Sequence, residues 1–153
     1  MNMDEVLKHT SPELFLAELK AKNKEQALQE IVDGLIAGTP ITNRETILQM
    51  LRAREQLGST AVGPGVAFPH GRTLAVQQLT ILIARSRAGI PFDSTDGQPT
   101  HLFFVLIAPP QDSGNVYIRS LAVLTEALQD GKLREAAMGA ADYDGFCQVL
   151  REG

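Results

Sequence analysis

The chain has 153 residues, enough for one domain with a real core, and its 44% hydrophobic and 21% charged residues are ordinary for a globular protein. A net charge of −4 argues against a nucleic-acid or anionic-membrane surface, so neither is expected as a partner. No apolar run approaches the roughly 20 residues of a membrane helix, and the first ten residues lack the basic and apolar regions of a signal peptide.

In chain order, residues 1–10 read as a flexible end and 11–153 as a single domain. Ser11 and Pro12 suit the N-cap and first turn of a helix carrying Leu14, Leu16 and Leu19 and stopped by Asn23. A second helix starts near Lys24, with Ala27, Leu28, Ile31, Leu35 and Ile36 at helical spacing. Thr42 or Asn43 caps a third, whose inner stripe is Ile47, Leu48, Leu51 and Leu57. Arg54 and Glu55 lie near its C-terminal end. Glu55 reads equally as a site residue and as a solvated or locally paired carboxylate.

Gly58 to Thr73, G-S-T-A-V-G-P-G-V-A-F-P-H-G-R-T, holds four glycines and two prolines with small apolar residues between them. This suggests short buried strand segments joined by tight turns. Leu79 to Arg85 is aliphatic and β-branched and predicts a strand; Asp96-Gly97 marks a turn. His101 to Ala108 is a near-continuous apolar run, as expected of a strand covered on both faces. Helices follow near residues 116–129, with Ile118, Leu121, Leu124 and Leu128 inward, near 132–138, and near 142–151, with Phe146, Val149 and Leu150 inward. The sum is an α/β sandwich: a mixed sheet with helices on both faces.

His70 stands between Pro69 and Gly71 in the glycine-rich stretch. Its imidazole is substantially neutral and nucleophilic near pH 7, although a lone histidine in a glycine-rich loop is more often a plain turn residue than a catalyst. Thr60 offers a hydroxyl, Arg54 a guanidinium fork, and Gly71 room for the close approach of another molecule. These are the parts of a phosphoryl-transfer site: a nucleophile and fixed donors around the moving charge. No G-x-S-x-G, G-x-G-x-x-G or P-loop pattern occurs, and no Cys/His cluster has metal-ligand spacing. The lone Cys147 cannot form an intrachain disulfide and reads as a core residue, so a reducing cytoplasm is the expected location. His101 reads as structural or solvent-facing, and His9 carries little functional weight.

The nineteen residues Arg54 to Arg72, R-E-Q-L-G-S-T-A-V-G-P-G-V-A-F-P-H-G-R, resemble the active-site signature of the enzyme IIA domains of the bacterial phosphoenolpyruvate:sugar phosphotransferase system, in the fructose/mannitol class that includes the nitrogen-regulatory enzyme IIA. Pro91-Phe92-Asp93, Asp96-Gly97-Gln98-Pro99 and Leu102 to Pro109 extend the resemblance, which covers nearly the whole chain from Ser11 to Arg151. It implies a mixed five-stranded sheet flanked by helices. It implies that His70 accepts a phosphoryl group from the carrier HPr or a paralogue, with no metal, nucleotide or other cofactor. The group would pass to a cysteine of an enzyme IIB, or its presence would signal to a regulatory target protein. In this family a second histidine usually sits beside the active one; here the matching position is Tyr117, which can donate a hydrogen bond but cannot carry positive charge. Arg119 lies nearby in sequence as a compensating cation. Sugar transport and regulation both remain open on this reading, with a hydrolase using His70 as a base a distant third.

Overall fold

A computed structural model describes all 153 residues. Its centre is β5 (Thr100–Ala108), the predicted apolar run, which pairs antiparallel with β4 (Thr80–Ile90) on one side. On the other side β2 (Val66–Ala67) and β3 (His70–Arg72) lie end to end, each parallel to β5. β1 (Phe15–Leu16) adds a parallel edge against β4 and completes a mixed five-stranded sheet.

Both faces of β5 are covered, and strand alternation divides its side chains between two cores. Phe103, Val105 and Ile107 pack with α2 (Lys24–Gly38) and α3 (Arg44–Gln56). Leu102, Phe104, Leu106 and Ala108 pack with the opposite layer: α1 (Met3–Leu7), α4 (Val116–Ala127), α5 (Gly131–Gly139) and α6 (Tyr143–Glu152). A strand buried on both sides needs no polar alternation, which is why the run reads as continuously apolar. No helix is long and apolar enough to cross a membrane.

Local sequence explains the helix starts. The Asn23 side chain accepts from the Gln26 N–H, and Asn43 from the Thr46 N–H, so each asparagine satisfies an otherwise free donor in its first turn. Asp142 does the same for α6 through the Gly145 N–H.

Four expectations are corrected. Residues 1–10 are not a loose end. Asn2 caps α1, Val6 and Leu7 are buried beneath it, and the His9 carbonyl accepts from Ile81 N–H at 2.8 Å. Two apolar side chains on one helical turn are enough to anchor the segment once α4 and α6 offer a surface. The helix expected from Ser11 is only a 3₁₀ turn, Pro12–Leu14, after which Phe15 and Leu16 pair with Ile83 and Ala84. Leu57 is 85% exposed rather than part of the inner stripe of α3, because the helix has ended at Gln56. Ile118 is 54% exposed; the first turns of α4 bury Tyr117 and Ser120 instead.

Candidate functional site

The glycine-rich stretch folds back on itself. Phe68 N–H donates to the Thr60 carbonyl and Val62 N–H to the Val66 carbonyl, each at 3.1 Å, so residues 60–62 run beside 66–68. The chain then enters β3, where His70 lies opposite Leu106 of β5. The residues of this stretch at 66, 68 and 70 alternate onto the α4 side of the sheet, with Val66 and Phe68 in its core and the His70 ring 5.7 Å from the ring of Tyr117. Because β3 is an edge strand, the C-terminal end of α3 can reach round to the same imidazole.

His70 is half-buried and held at both ring nitrogens. Nδ1 lies 2.8 Å from the Phe68 carbonyl oxygen, an acceptor only, so Nδ1 carries the proton and donates it there. Nε2 is therefore the unprotonated nitrogen, and it accepts from Arg54 Nε at 3.1 Å. Burial is the largest influence and lowers the imidazole pKa below its ordinary 6.5; the Phe68 contact opposes this, the Arg54 charge adds to it, and Glu55 opposes it. The result is a neutral ring with a directed lone pair on Nε2.

Arg54 is itself fixed, since Nη1 donates to the Gly58 carbonyl at 2.8 Å. Its neighbour Glu55, which sequence leaves open between a site role and a solvated one, is buried. The carboxylate accepts from Thr60 N–H at 3.1 Å, from the Thr60 hydroxyl, and from Lys24 Nζ at 2.9 Å. Lys24 in turn sits 4.8 Å over the Phe92 ring and 3.3 Å from Asp93. Glu55 thus ties the end of α3 to the start of the glycine-rich turn.

Two expected roles change with this geometry. Thr60 was expected to offer its hydroxyl to a phosphate. That side chain is buried, with its hydroxyl proton given to Glu55, so it braces the loop. Gly71 was expected to admit another molecule. It admits the protein's own α3: a Cβ there would lie 2.7 Å from Met50 Sδ and 2.9 Å from Met50 Cγ. Glycine at this position lets β3 and α3 approach closely.

Tyr117 stands where sequence places it, on the wall facing His70, with its backbone N–H donating to Asp112 Oδ2 at 2.8 Å. Burial raises its pKa, while the charges of Arg72 and Arg54 pull it back down. Arg119, the cation suggested by sequence, points away: it is exposed, and its nearest partner is the Gly114 carbonyl at 3.5 Å. The cation beside Tyr117 is Arg72, whose guanidinium carbon lies 5.0 Å from the centre of that ring. Sequence reasoning passed over Arg72. The available signal was its position two residues after His70, which puts both side chains on one face of a strand. His101 is structural, with Nδ1 held 2.8 Å from the Ser86 carbonyl.

The assembled site is a neutral imidazole with Nε2 presented between the Arg54 guanidinium and an aromatic wall carrying a second arginine. A nucleophile with cations around it suits transfer of an anionic group. Residues 8–153 match the family model described as "Phosphoenolpyruvate-dependent sugar phosphotransferase system, EIIA 2". A nitrogen regulatory protein of Bradyrhizobium diazoefficiens is 36% identical over 140 residues, spanning 92% of this chain and 90% of that one. A PTS system fructose-specific EIIA component of Haloferax volcanii is 30% identical over 152 residues, spanning 99% and 98%. The crystal structure of the nitrogen regulatory protein IIA-Ntr from Neisseria meningitidis superposes with a TM-score of 0.85 at 28% identity, over 94% of this chain and 97% of that one. The chain belongs to the EIIA 2 family of the phosphoenolpyruvate-dependent sugar phosphotransferase system.

Proposed function

We propose that His70 is a phosphoryl acceptor that takes the group on Nε2 from the phosphohistidine of an HPr-type carrier. The observation that carries this reading is the pair of bonds on the ring: Nδ1 donates to Phe68, and Nε2 faces Arg54. In the transfer the donor P–N bond breaks and its electron pair returns to the donor imidazole. The Nε2 lone pair of His70 forms the new P–N bond. The proton stays on Nδ1, still donated to the Phe68 carbonyl, whose oxygen offsets the positive charge developing on the ring. Arg54 gives up its contact to Nε2 and turns the same N–H groups toward the phosphoryl oxygens. The two nitrogens are similar leaving groups, so the step is close to isoenergetic and the protein's contribution is position and charge. Glu55, Thr60 and Lys24 serve this indirectly by holding the loop and the end of α3. Arg54 and Tyr117 line the phosphoryl group, and Gly71 lets β3 seat against α3.

The surroundings suit a macromolecular donor. Leu57 and Leu74 are 85% and 89% exposed, and Ile118 is 54% exposed. They follow Arg54, His70 and Tyr117 in the chain by three, four and one residues, and exposed apolar side chains next to site residues suit a docking partner.

Incubation with phosphoenolpyruvate, enzyme I and HPr, followed by intact-mass measurement, tests the reading. One phosphoryl group on the native protein and none on His70→Ala is expected; an unmodified native protein with competent donors overturns it. The onward step has two forms, transfer to an enzyme IIB cysteine or retention as a signal to a partner protein. The high coverage by relatives named nitrogen regulatory supports the second, and the fructose-specific relative supports the first. Loss of the phosphate on mixing with enzyme IIB favours transport; retention, with binding to a target that depends on phosphorylation, favours regulation.

A further inference from the structure

We infer that Arg72 is a second phosphoryl-binding residue, closing the pocket opposite Arg54 and supplying the positive charge that Tyr117 cannot. The inference rests on His70 being the phosphoryl acceptor and names a further group that touches the transferred phosphate.

Three observations place it. His70 and Arg72 are alternate residues of β3, in register with Leu106 and Ala108, so both side chains leave the same face of the strand. The His70 ring and the Arg72 guanidinium both rest on Tyr117, at 5.7 Å and 5.0 Å from its ring centre. Tyr117 is buried and held by its backbone bond to Asp112, so it is a fixed platform between the two. The hydrogen bonds of the Arg72 side chain leave it free to act: Nη1 donates to the Pro109 carbonyl at 3.1 Å, while Nε and Nη2 have no protein acceptor. No carboxylate pairs with Arg72, whereas Arg44, Arg52, Arg87 and Arg151 are all in salt bridges. An unpaired arginine stacked on the wall of a nucleophile's pocket has two donors available for oxygens of one anion. Arg54 reaches Nε2 from α3, and Arg72 stands on β3 over the Tyr117 ring that His70 also faces, so a phosphoryl group extending from that nitrogen along the Tyr117 wall would have one guanidinium on offer from each element. Both arginine charges also act on the Tyr117 hydroxyl, in line with a shared pocket.

The transfer is balanced as written for His70. Arg72 exchanges no proton and binds the phosphoryl oxygens as their charge redistributes.

The test compares native protein, Arg72→Gln and Arg72→Lys in the enzyme I, HPr and phosphoenolpyruvate system. Initial phosphorylation rates are read by intact mass, and the ³¹P resonance of the purified phosphoproteins is titrated with pH. Arg72→Gln is expected to slow phosphorylation on the order of ten- to a hundredfold. It should also move the phosphoryl titration to higher pH, because an adjacent cation favours the dianion and its loss favours the protonated form. Arg72→Lys should recover part of the rate and most of the titration shift, since it restores charge but not the fork. A merely structural Arg72 would not move the ³¹P titration. A native rate and an unmoved titration in Arg72→Gln overturn the assignment and leave His70 as acceptor intact. A native protein that takes no phosphate overturns both.

Discussion

Replacing Arg54 by glutamine tests the link between helix α3 and the imidazole. The change removes the 3.1 Å bond from Nε to His70 Nε2 and the 2.8 Å bond from Nη1 to the Gly58 carbonyl. A hydrogen bond to a charged group contributes about 1.5–3 kcal/mol. A unit charge about 4 Å from a phosphoryl oxygen at an effective dielectric near 20 gives roughly 4 kcal/mol before exposure is allowed for. Arg54 is half-buried, so about 1.5–3 kcal/mol is the reasonable loss at the transition state, or roughly tenfold to a hundredfold in rate. A second readout comes from pH. The Arg54 charge helps to lower the His70 pKa, so its removal must raise that pKa, and the acid limb of the phosphorylation rate moves to higher pH. The assay is the initial phosphorylation rate between about pH 5 and 8, with circular dichroism to verify folding, in Arg54→Gln and Arg54→Lys. Arg54→Lys keeps the charge and loses the fork, so its acid limb should stay near that of the native protein while its rate falls. A folded Arg54→Gln protein with a native rate and an unmoved acid limb would refute the assignment of this guanidinium to the pocket.

In the native protein the depressed His70 pKa places the acid limb below pH 6.5; the reactive neutral ring is lost only as pH falls through that lower value, and a midpoint above 6.5 contradicts the burial argument. Gly71→Ala should cost about 1–3 kcal/mol in urea denaturation through its clash with Met50, and Met50→Ala in the same chain should recover part of it; additive losses would mean the two residues do not meet. Glu55→Gln should destabilise by about 2–3 kcal/mol, because it removes the carboxylate shared by Thr60 and Lys24, and should slow phosphorylation through the loosened loop; unchanged stability would show the bridge to be idle. Phe104→Ala, deep on the α4 side of β5, should cost about 3–5 kcal/mol in the same measurement while His70 keeps its reactivity in whatever fraction stays folded.

The parts of the fold written in long periodic signals were legible. β5 announced itself because a strand covered on both faces needs no polar alternation, and Leu102 to Ala108 are seven apolar residues in succession; α2 and α3 were legible from the helical spacing of their apolar residues, α3 also from a cap at Thr42 or Asn43. Short elements were not. β1 has only two residues, Phe15 and Leu16, and its conformation is set by pairing with β4, which local sequence does not reveal. The start at Ser11-Pro12 was a genuine helix signal, but sheet pairing ended the helix after one turn. In the site, the structure brings Arg54 and Tyr117 to His70, and of these Arg54 and His70 lie in one distinctive motif. The Thr60 hydroxyl shows the opposite case: a sequence gives the donor but not which of two acceptors, a buried carboxylate or an incoming anion, it faces. Arg72 was missed for a related reason. Period-two alternation would have placed it beside His70, but the surrounding glycines obscured a strand three residues long.

Nitrogen-resolved NMR of the phosphorylated protein tests the central claim most directly, because it reads both the residue and the ring atom that carry the phosphate. With histidines labelled with ¹⁵N and the protein phosphorylated through HPr, the predicted result is a P–N bond on Nε2 of His70, a proton retained on Nδ1, and no phosphohistidine signal in His70→Ala. A phosphate on Nδ1, or one that persists in His70→Ala, would contradict the account.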